Sequence, residues 1–215
     1  MTAETVYRAA WVLPVTSPAI RDGFVSVREG VITGVGSISD RPAGADVREV
    51  DLGAAILMPG FVNAHTHLEL SHLGSGAVPG DRGFVPWIED QLRVRAERSP
   101  EEATDGIRQA IASLEASGTS AVADVSNSLA AVDALAQSSL HGLVLHEIIG
   151  FDPARAEAIV QQTTAMRAGI SAPDHGRVRV EVAAHAPHSI SRELFALLMA
   201  NGGVKSIHVA ESKAE

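Results

Sequence analysis

The sequence predicts an α/β fold in which a small β unit, residues 1–58, precedes repeated strand–helix units over residues 59–215. Of the 215 residues, 46% are hydrophobic and 20% are charged, which is ordinary for a globular protein. Before Met58, short β-prone runs alternate with turn residues. After Met58, continuous apolar runs alternate with helical segments, as in proteins with parallel sheets.

The β unit consists of short strands separated by turns. Residues 6–12 are the first β-prone run, and residues 23–27 and 31–35 flank a glycine turn, so they predict a hairpin. Residues 40–46 form a loop, and residues 47–52 resume an extended pattern. This unit has too little apolar surface to make a convincing independent domain.

The predicted strands of the second unit are continuous apolar runs, which are typical of parallel strands covered on both faces. They are residues 60–65, 120–125, 142–148, 178–184 and 204–209. The run Ser-Pro-Glu-Glu at 99–102 predicts a helix with a cap, a proline in its first turn and a capping-box glutamate, and Gly118 ends that helix. Asp152 and Gly169 bound a second helix, and residues 191–200 form a third.

Charge and cysteine content exclude several classes of function. Lys and Arg number 17 against 26 Asp and Glu, a net charge of −9, so the chain is a poor binder of nucleic-acid phosphates. The absence of cysteine excludes disulfides, thiolate nucleophiles and cysteine zinc sites. No basic and apolar leader and no apolar run of about 20 residues is present, so we expect a cytoplasmic protein without a membrane partner.

The length of the chain limits the architecture. A closed barrel of eight strand–helix units needs roughly 250 residues, and only about five predicted strands fit after Pro59. The second unit is therefore either an open sheet or the front part of a barrel. The motifs at the strand ends favour the barrel, because active sites of such barrels lie at the carboxyl ends of the strands.

The first of these motifs is His65-Thr66-His67, at the end of the first apolar strand. Residues two apart on a strand point to the same face, so the two imidazoles converge and can bind a divalent metal, most commonly zinc. Two surface histidines are the alternative, but the apolar run before them argues against it. A cupin metal site also uses His-x-His but needs a glutamate several residues after it. Glu69 comes too soon, and the predicted helices argue against a β-barrel of that kind.

Residues 58–69, Met-Pro-Gly-Phe-Val-Asn-Ala-His-Thr-His-Leu-Glu, resemble the opening signature of the amidohydrolase superfamily, specifically its deaminase and chlorohydrolase branch. Together with Phe-Val-Pro-Trp at 84–87, the motif is most similar to that of aminodeoxyfutalosine deaminases. The resemblance covers only the front half of a family member. It implies an incomplete TIM-type (β/α) barrel, with about five of eight strands, preceded by a β half-sandwich.

The resemblance also implies roles for residues near the end of the chain. His208 matches the third metal ligand, and Glu211 matches the proton shuttle three residues later. In His-Ala-Pro-His-Ser-Ile-Ser at 185–191, His185 matches a substrate-contacting histidine. His188 replaces the usual tyrosine, so it either has a specific role or caps the next helix or faces solvent.

A single divalent ion is expected, zinc before iron(II). Dinuclear members of the superfamily usually use a carbamylated lysine at the end of the fourth strand, and neither Lys205 nor Lys213 lies there. Glu147, at the end of the third strand, is the one carboxylate that could bridge two ions. We interpret it mainly as a hydrogen-bonding residue at the barrel mouth.

Residues 68–90 are interpreted as a glycine-rich lid over the site. Within it, Glu69 either orients a polar group of the substrate or holds its own loop, and Phe84 and Trp87 either face a planar substrate or anchor the following helix. Asp124, at the end of the second strand, is expected to support a neighbour by hydrogen bonding.

The leading functional hypothesis is a metal-dependent hydrolase that deaminates a small aminated heterocycle. Metal binding lowers the pKa of water towards about 7, and Glu211 would carry its proton to the leaving nitrogen. Dechlorination and cyclic-amide opening are alternatives within the superfamily. The resemblance implies a further histidine and aspartate after residue 215, so a catalytically silent fragment is the third possibility, and exposed strand edges make a homo-oligomer possible.

Overall fold

A computed structural model describes residues 3–76, 83–170, 176–200 and 205–210, and the side chains of residues 74–76 are not described. The chain divides into two compact units, Met1–Gly60 and Phe61–Glu215. The division falls beside the boundary that the sequence suggests after residue 58. Among the described residues, no helix is both long enough and apolar enough to cross a membrane.

The first unit is a sheet of short strands. Its strands are Glu4–Val12 (β1), Ile20–Arg28 (β2), Val31–Ser37 (β3), Val47–Asp51 (β4) and Ile56–Leu57 (β5). The order is β3-β2-β1-β4, with β5 also pairing with β1. Strands β2 and β3 form the predicted hairpin, and its turn residues Glu29 and Gly30 both have positive φ, which is the geometry that two-residue hairpins favour.

The second unit alternates strands and helices. Its strands are Phe61–Thr66 (β6), Thr119–Ser126 (β7), His141–Ile148 (β8) and Val178–Ala184 (β9). Its α-helices are Phe84–Glu97 (α1), Pro100–Ala116 (α2), Val132–Gln137 (α3), Ala156–Ala168 (α4) and Arg192–Ala200 (α5). The strands pair in parallel in the order β6-β7-β8-β9.

The ends of helix α2 confirm the sequence prediction. The Ser99 side chain accepts a hydrogen bond from the backbone N–H of Glu102, whose carboxylate accepts one from the Ser99 backbone N–H. Gly118 follows the helix with a φ of 81°, a conformation that glycine adopts without strain. Helix α4 likewise ends at Gly169, as predicted.

The fifth predicted strand, residues 204–209, is not found: residues 205–209 carry no strand, and Val204 lies outside the described residues. The backbone N–H of His208 donates to the carbonyl of His185, just after β9, at 2.8 Å. One such bond places the segment beside the sheet, but a strand requires a repeated ladder. Lid residues 77–82 also lie outside the described residues, and residues 68–76 form a 3-10 helix.

The sheet of the second unit has two differently used faces. Val122 and Val144 belong to a buried cluster with Ile107 of α2, which defines the helix-covered face. Val125 and Leu145 form a separate buried cluster on the opposite face, the inner face. This alternation decides which face each polar side chain near the strand ends can reach.

Candidate metal centre

Two histidines lie on one side of the sheet at the end of β6, His65 within the strand and His67 just after it. Thr66 pairs with Asp124 of β7, so it shares the helix-covered face with Val122, and His65 and His67 on either side of it point to the inner face. His65 is exposed and His67 is half-buried. The backbone N–H of His65 is held by the side-chain oxygen of Asn63 at 3.2 Å.

His208 joins these two histidines from a distant part of the chain. Its ring centroid lies 4.9 Å from that of His65 and 5.4 Å from that of His67. One ring nitrogen from each of the three residues lies within 4.8 Å of the others. The structure therefore brings together the three residues that the sequence proposes as metal ligands.

The chemistry of this donor set fits a divalent metal. Burial lowers the pKa of His67, and nearby His65 and His208 lower it further, although Glu147 opposes the effect. A lowered pKa favours the neutral imidazole, which is the form that binds metal. Three imidazole nitrogens match a usual protein donor set of a catalytic zinc site.

Glu147 lies behind His208. One carboxylate oxygen is 3.2 Å from Nδ1 of His208, and the other accepts a hydrogen bond from Nδ2 of Asn127 at 2.9 Å. Burial raises the pKa of Glu147, but the contacts with His208, His185 and Asn127 outweigh it, and the pKa is lowered overall. Nδ1 of His208 also lies 3.1 Å from the carbonyl oxygen of His185, its hydrogen-bond partner, so Nε2 is the nitrogen left for a metal.

Glu147, His185 and His208 also form a second group whose ligand atoms lie within 4.8 Å of one another. His208 belongs to both groups. An ion bound by the second group would therefore have to share His208 with an ion bound by the first, or compete for its Nδ1.

His185 is oriented by the turn that follows it. Its Nδ1 lies 2.6 Å from the hydroxyl oxygen of Ser189, and that hydroxyl donates to the carbonyl of Ala186. The Ser189 oxygen is therefore left to accept from Nδ1–H of His185, so Nε2 can meet a substrate. The ring lies 5.4 Å from His208 and 6.0 Å from the exposed His188.

Glu69 lies within a dense set of donors. Its side chain is 4% exposed and accepts from the hydroxyls of Ser126 and Ser128, the backbone N–H groups of Asn127 and Ser128, and the Arg95 guanidinium. Burial raises its pKa, but these hydrogen bonds outweigh it and the pKa is lowered. These contacts favour the second role that the sequence leaves open, holding its own loop.

Asp124 is the other buried carboxylate on the helix-covered face. One of its oxygens accepts the backbone N–H of Leu68 at 2.7 Å, and the second has no hydrogen-bond partner among the described residues. Burial raises the pKa of Asp124 to about 7, and the charge of Glu69 adds to the increase. Asp124 thus supports a neighbour, as the sequence suggests.

The remaining predicted site residues are less constrained. Trp87 is half-buried on α1, its ring centroid is 5.6 Å from that of Phe84, and its indole N–H has no partner among the described residues. Glu211 lies outside the described residues. Sequence reasoning missed Asn127, Ser126 and Ser128, since a Ser-Asn-Ser run after a strand predicts only a turn.

Comparison with known proteins identifies related chains. Residues 56–215 match the model of a family described as "Amidohydrolase family". An aminodeoxyfutalosine deaminase of Nitratiruptor sp. is 28% identical over 167 residues, covering 75% of this chain and 40% of the relative. A 5-methylthioadenosine/S-adenosylhomocysteine deaminase of Moorella thermoacetica is 28% identical over 211 residues, covering 95% and 49%. The chain thus spans about half the length of the relatives it matches.

Solved structures show the same fold. Aminofutalosine deaminase of Helicobacter pylori, in complex with methylthio-coformycin, superimposes with a TM-score of 0.78 at 22% identity, covering 97% of this chain and 51% of that one. An adenosine deaminase of Xanthomonas campestris with bound zinc gives 0.68 at 24% identity, covering 99% and 51%. The predicted fold class, an incomplete TIM-type barrel, is confirmed.

Proposed function

The chain belongs to the amidohydrolase family, and from this premise we propose that it supplies the metal site of a hydrolase that deaminates an aminated heterocycle. The observation that carries the proposal is the convergence of His65, His67 and His208 on the inner face of the sheet. Because the chain spans about half the length of its relatives, activity, substrate and partners are part of the proposal.

In this proposal each residue has one task. His65, His67 and His208 would hold a single zinc ion, which would supply a water of lowered pKa. The carbonyl of His185 and the carboxylate of Glu147 lie beside Nδ1 of His208, which would leave Nε2 for the ion. Glu211 takes the proton of the water and passes it to the leaving nitrogen.

Zinc as a single ion is supported by two observations. The related adenosine deaminase of Xanthomonas campestris has bound zinc, and the donor set here is built of imidazoles. The one described lysine of the chain, Lys205, donates to the carbonyl of Leu198 on α5 at 2.8 Å. Iron(II) is the alternative ion.

The proposed substrate is a purine-like ring with an exocyclic amino group. Several of the similar proteins are named as deaminases of adenosine-type compounds, and one is named as a guanine deaminase. His185 would meet the ring through Nε2, because Ser189 already engages its Nδ1. Trp87 is proposed as an aromatic contact for the ring. Its indole N–H, which has no partner among the described residues, would donate to a ring nitrogen.

Metal content and product release test this proposal. We expect the purified chain to retain about one zinc per molecule by elemental analysis, and the His67→Ala variant to lose it. The chain is then incubated with aminopurine nucleosides, chlorotriazines and cyclic amides, and ammonia, chloride and ring opening are measured.

The outcomes separate the hypotheses. Ammonia release from aminopurine nucleosides that depends on Glu211 supports deamination. Chloride release or ring opening without ammonia release overturns the proposed reaction but keeps the metal site. Zinc retention without any turnover supports the silent fragment, and no zinc retention overturns the site.

A further inference from the structure

Glu69 connects three separate segments of the second unit. It lies two positions after His67, it accepts hydrogen bonds from Ser126, Asn127 and Ser128 at the end of β7, and it pairs with Arg95 of α1 at 3.1 Å. The proposed reaction uses none of these contacts of Glu69. Its hydrogen bonds instead determine where the backbone goes immediately after the metal-binding motif.

We propose that Glu69 is a positioning residue that holds the segment after His67 in place and couples the metal site to helix α1 through Arg95. The inference rests on the proposed metal site and extends it. It concerns the direction of the His67 imidazole, and it gives Glu69 no contact with substrate or metal.

The charge and both oxygens of Glu69 are required for this role. One oxygen accepts from the N–H of Asn127 and from Arg95, and the other accepts from the hydroxyls of Ser126 and Ser128 and the N–H of Ser128. A glutamine has one oxygen and one NH₂ group. In either orientation its NH₂ faces a backbone N–H, that of Asn127 or that of Ser128, and neither can turn away.

Asp124 provides an internal comparison with the opposite expectation. It also holds the segment after His67, but only one oxygen accepts a hydrogen bond, from the N–H of Leu68, and the other has no partner among the described residues. An asparagine keeps the accepting oxygen and places its NH₂ where no donor is described. The amide substitution should therefore be tolerated at Asp124 and not at Glu69.

The test is a titration of the whole 215-residue chain with Co²⁺, read from its visible absorption and from competition with a chelator. We expect Glu69→Gln to bind Co²⁺ about tenfold more weakly with an altered spectrum, and Asp124→Asn to stay within about threefold of the parent chain. Glu115→Gln is the matched control, because Glu115 accepts from the backbone N–H and hydroxyl of Ser139 but lies on the far end of α2. Glu115→Gln should leave both the Co²⁺ affinity and the absorption spectrum unchanged.

Three further variants keep the test decisive if Glu69→Gln fails to fold. Ser128→Ala removes a single donor and should weaken Co²⁺ binding about threefold. Arg95→Met should have an effect of similar size, and Arg95→Lys should restore most of it, since a lysine keeps the charge.

Three outcomes decide the inference. Unchanged affinity and spectrum in Glu69→Gln would overturn it, as would an equal loss in Asp124→Asn. Absence of Co²⁺ binding by the parent chain would overturn the proposed metal site itself, which distinguishes the two failures.

Discussion

The two sides of the candidate site use buried carboxylates differently. On the β6–β7 side, Glu69 and Asp124 lie on the helix-covered face and bind backbone N–H groups, hydroxyls and an arginine. On the β8–β9 side, Glu147 lies on the inner face and contacts the imidazole of His208 directly. One side orders the backbone after the candidate ligand His67, and the other contacts the ring of the candidate ligand His208.

This difference is visible in how the carboxylates titrate. Burial raises the pKa of Asp124 to about 7, because a single hydrogen bond does not compensate for the loss of water. Burial also raises the pKa of Glu147, but His208, His185 and Asn127 reverse the effect. Both carboxylates are buried, but the pKa of Asp124 is raised and that of Glu147 is lowered, because their hydrogen-bond and charge partners differ.

The largest expected effect is at His208, the residue through which the β8–β9 side joins the site. Replacing it with alanine removes one of three nitrogen donors, so we expect zinc affinity to fall by more than about 100-fold. This is more than the loss expected when a residue that only contacts a metal ligand is removed. Zinc competition with a chromophoric chelator measures this. His141→Ala, an exposed histidine at the start of β8, is the control. Unchanged affinity in His208→Ala would mean that the two sides do not form one site.

A smaller effect is expected at Asp124 on the β6–β7 side. Its folded-state pKa of about 7 lies above the ordinary value of an aspartate, so the folded chain keeps a proton that the unfolded chain releases. This contribution to stability is present at low pH and is lost as the pH rises towards 7, by about 2 kcal/mol between pH 5 and 7.

Denaturant unfolding of the parent chain and of Asp124→Asn at several pH values isolates this contribution. The asparagine cannot titrate, so the variant should gain about 2 kcal/mol relative to the parent chain between pH 5 and 7. If the difference in unfolding free energy between the two chains stays constant from pH 5 to 7, Asp124 titrates normally and the contrast with Glu147 is absent.

The smallest effect is expected at Glu147. In Glu147→Gln the side chain keeps its size but loses the charge that orients His208, so zinc affinity should fall about tenfold, about 1.4 kcal/mol. The same competition assay measures it, with Glu181→Gln as the control, a β9 residue that pairs with Arg179. An equal affinity in both variants would contradict the role of Glu147 behind His208.

Local patterns predicted much of the fold. The capping box of α2, the glycines that end α2 and α4, the hairpin of β2 and β3 and the four parallel strands follow from short-range periodicity and from residues with special backbone preferences. The fifth predicted strand did not form a ladder, because an apolar run becomes a strand only when a neighbour supplies repeated backbone bonds.

For the site, the sequence determined that His65 and His67 share a face, since that depends only on the two-residue period of a strand. The tertiary structure alone decided which partner each carboxylate has. Glu69 meets Ser128 across 59 positions of the chain, and Glu147 meets His208 on a segment with no regular structure. Such contacts depend on the paths of loops and the packing of helices, and a hydrogen bond requires that packing to be correct within a few tenths of an ångström, which no local pattern specifies.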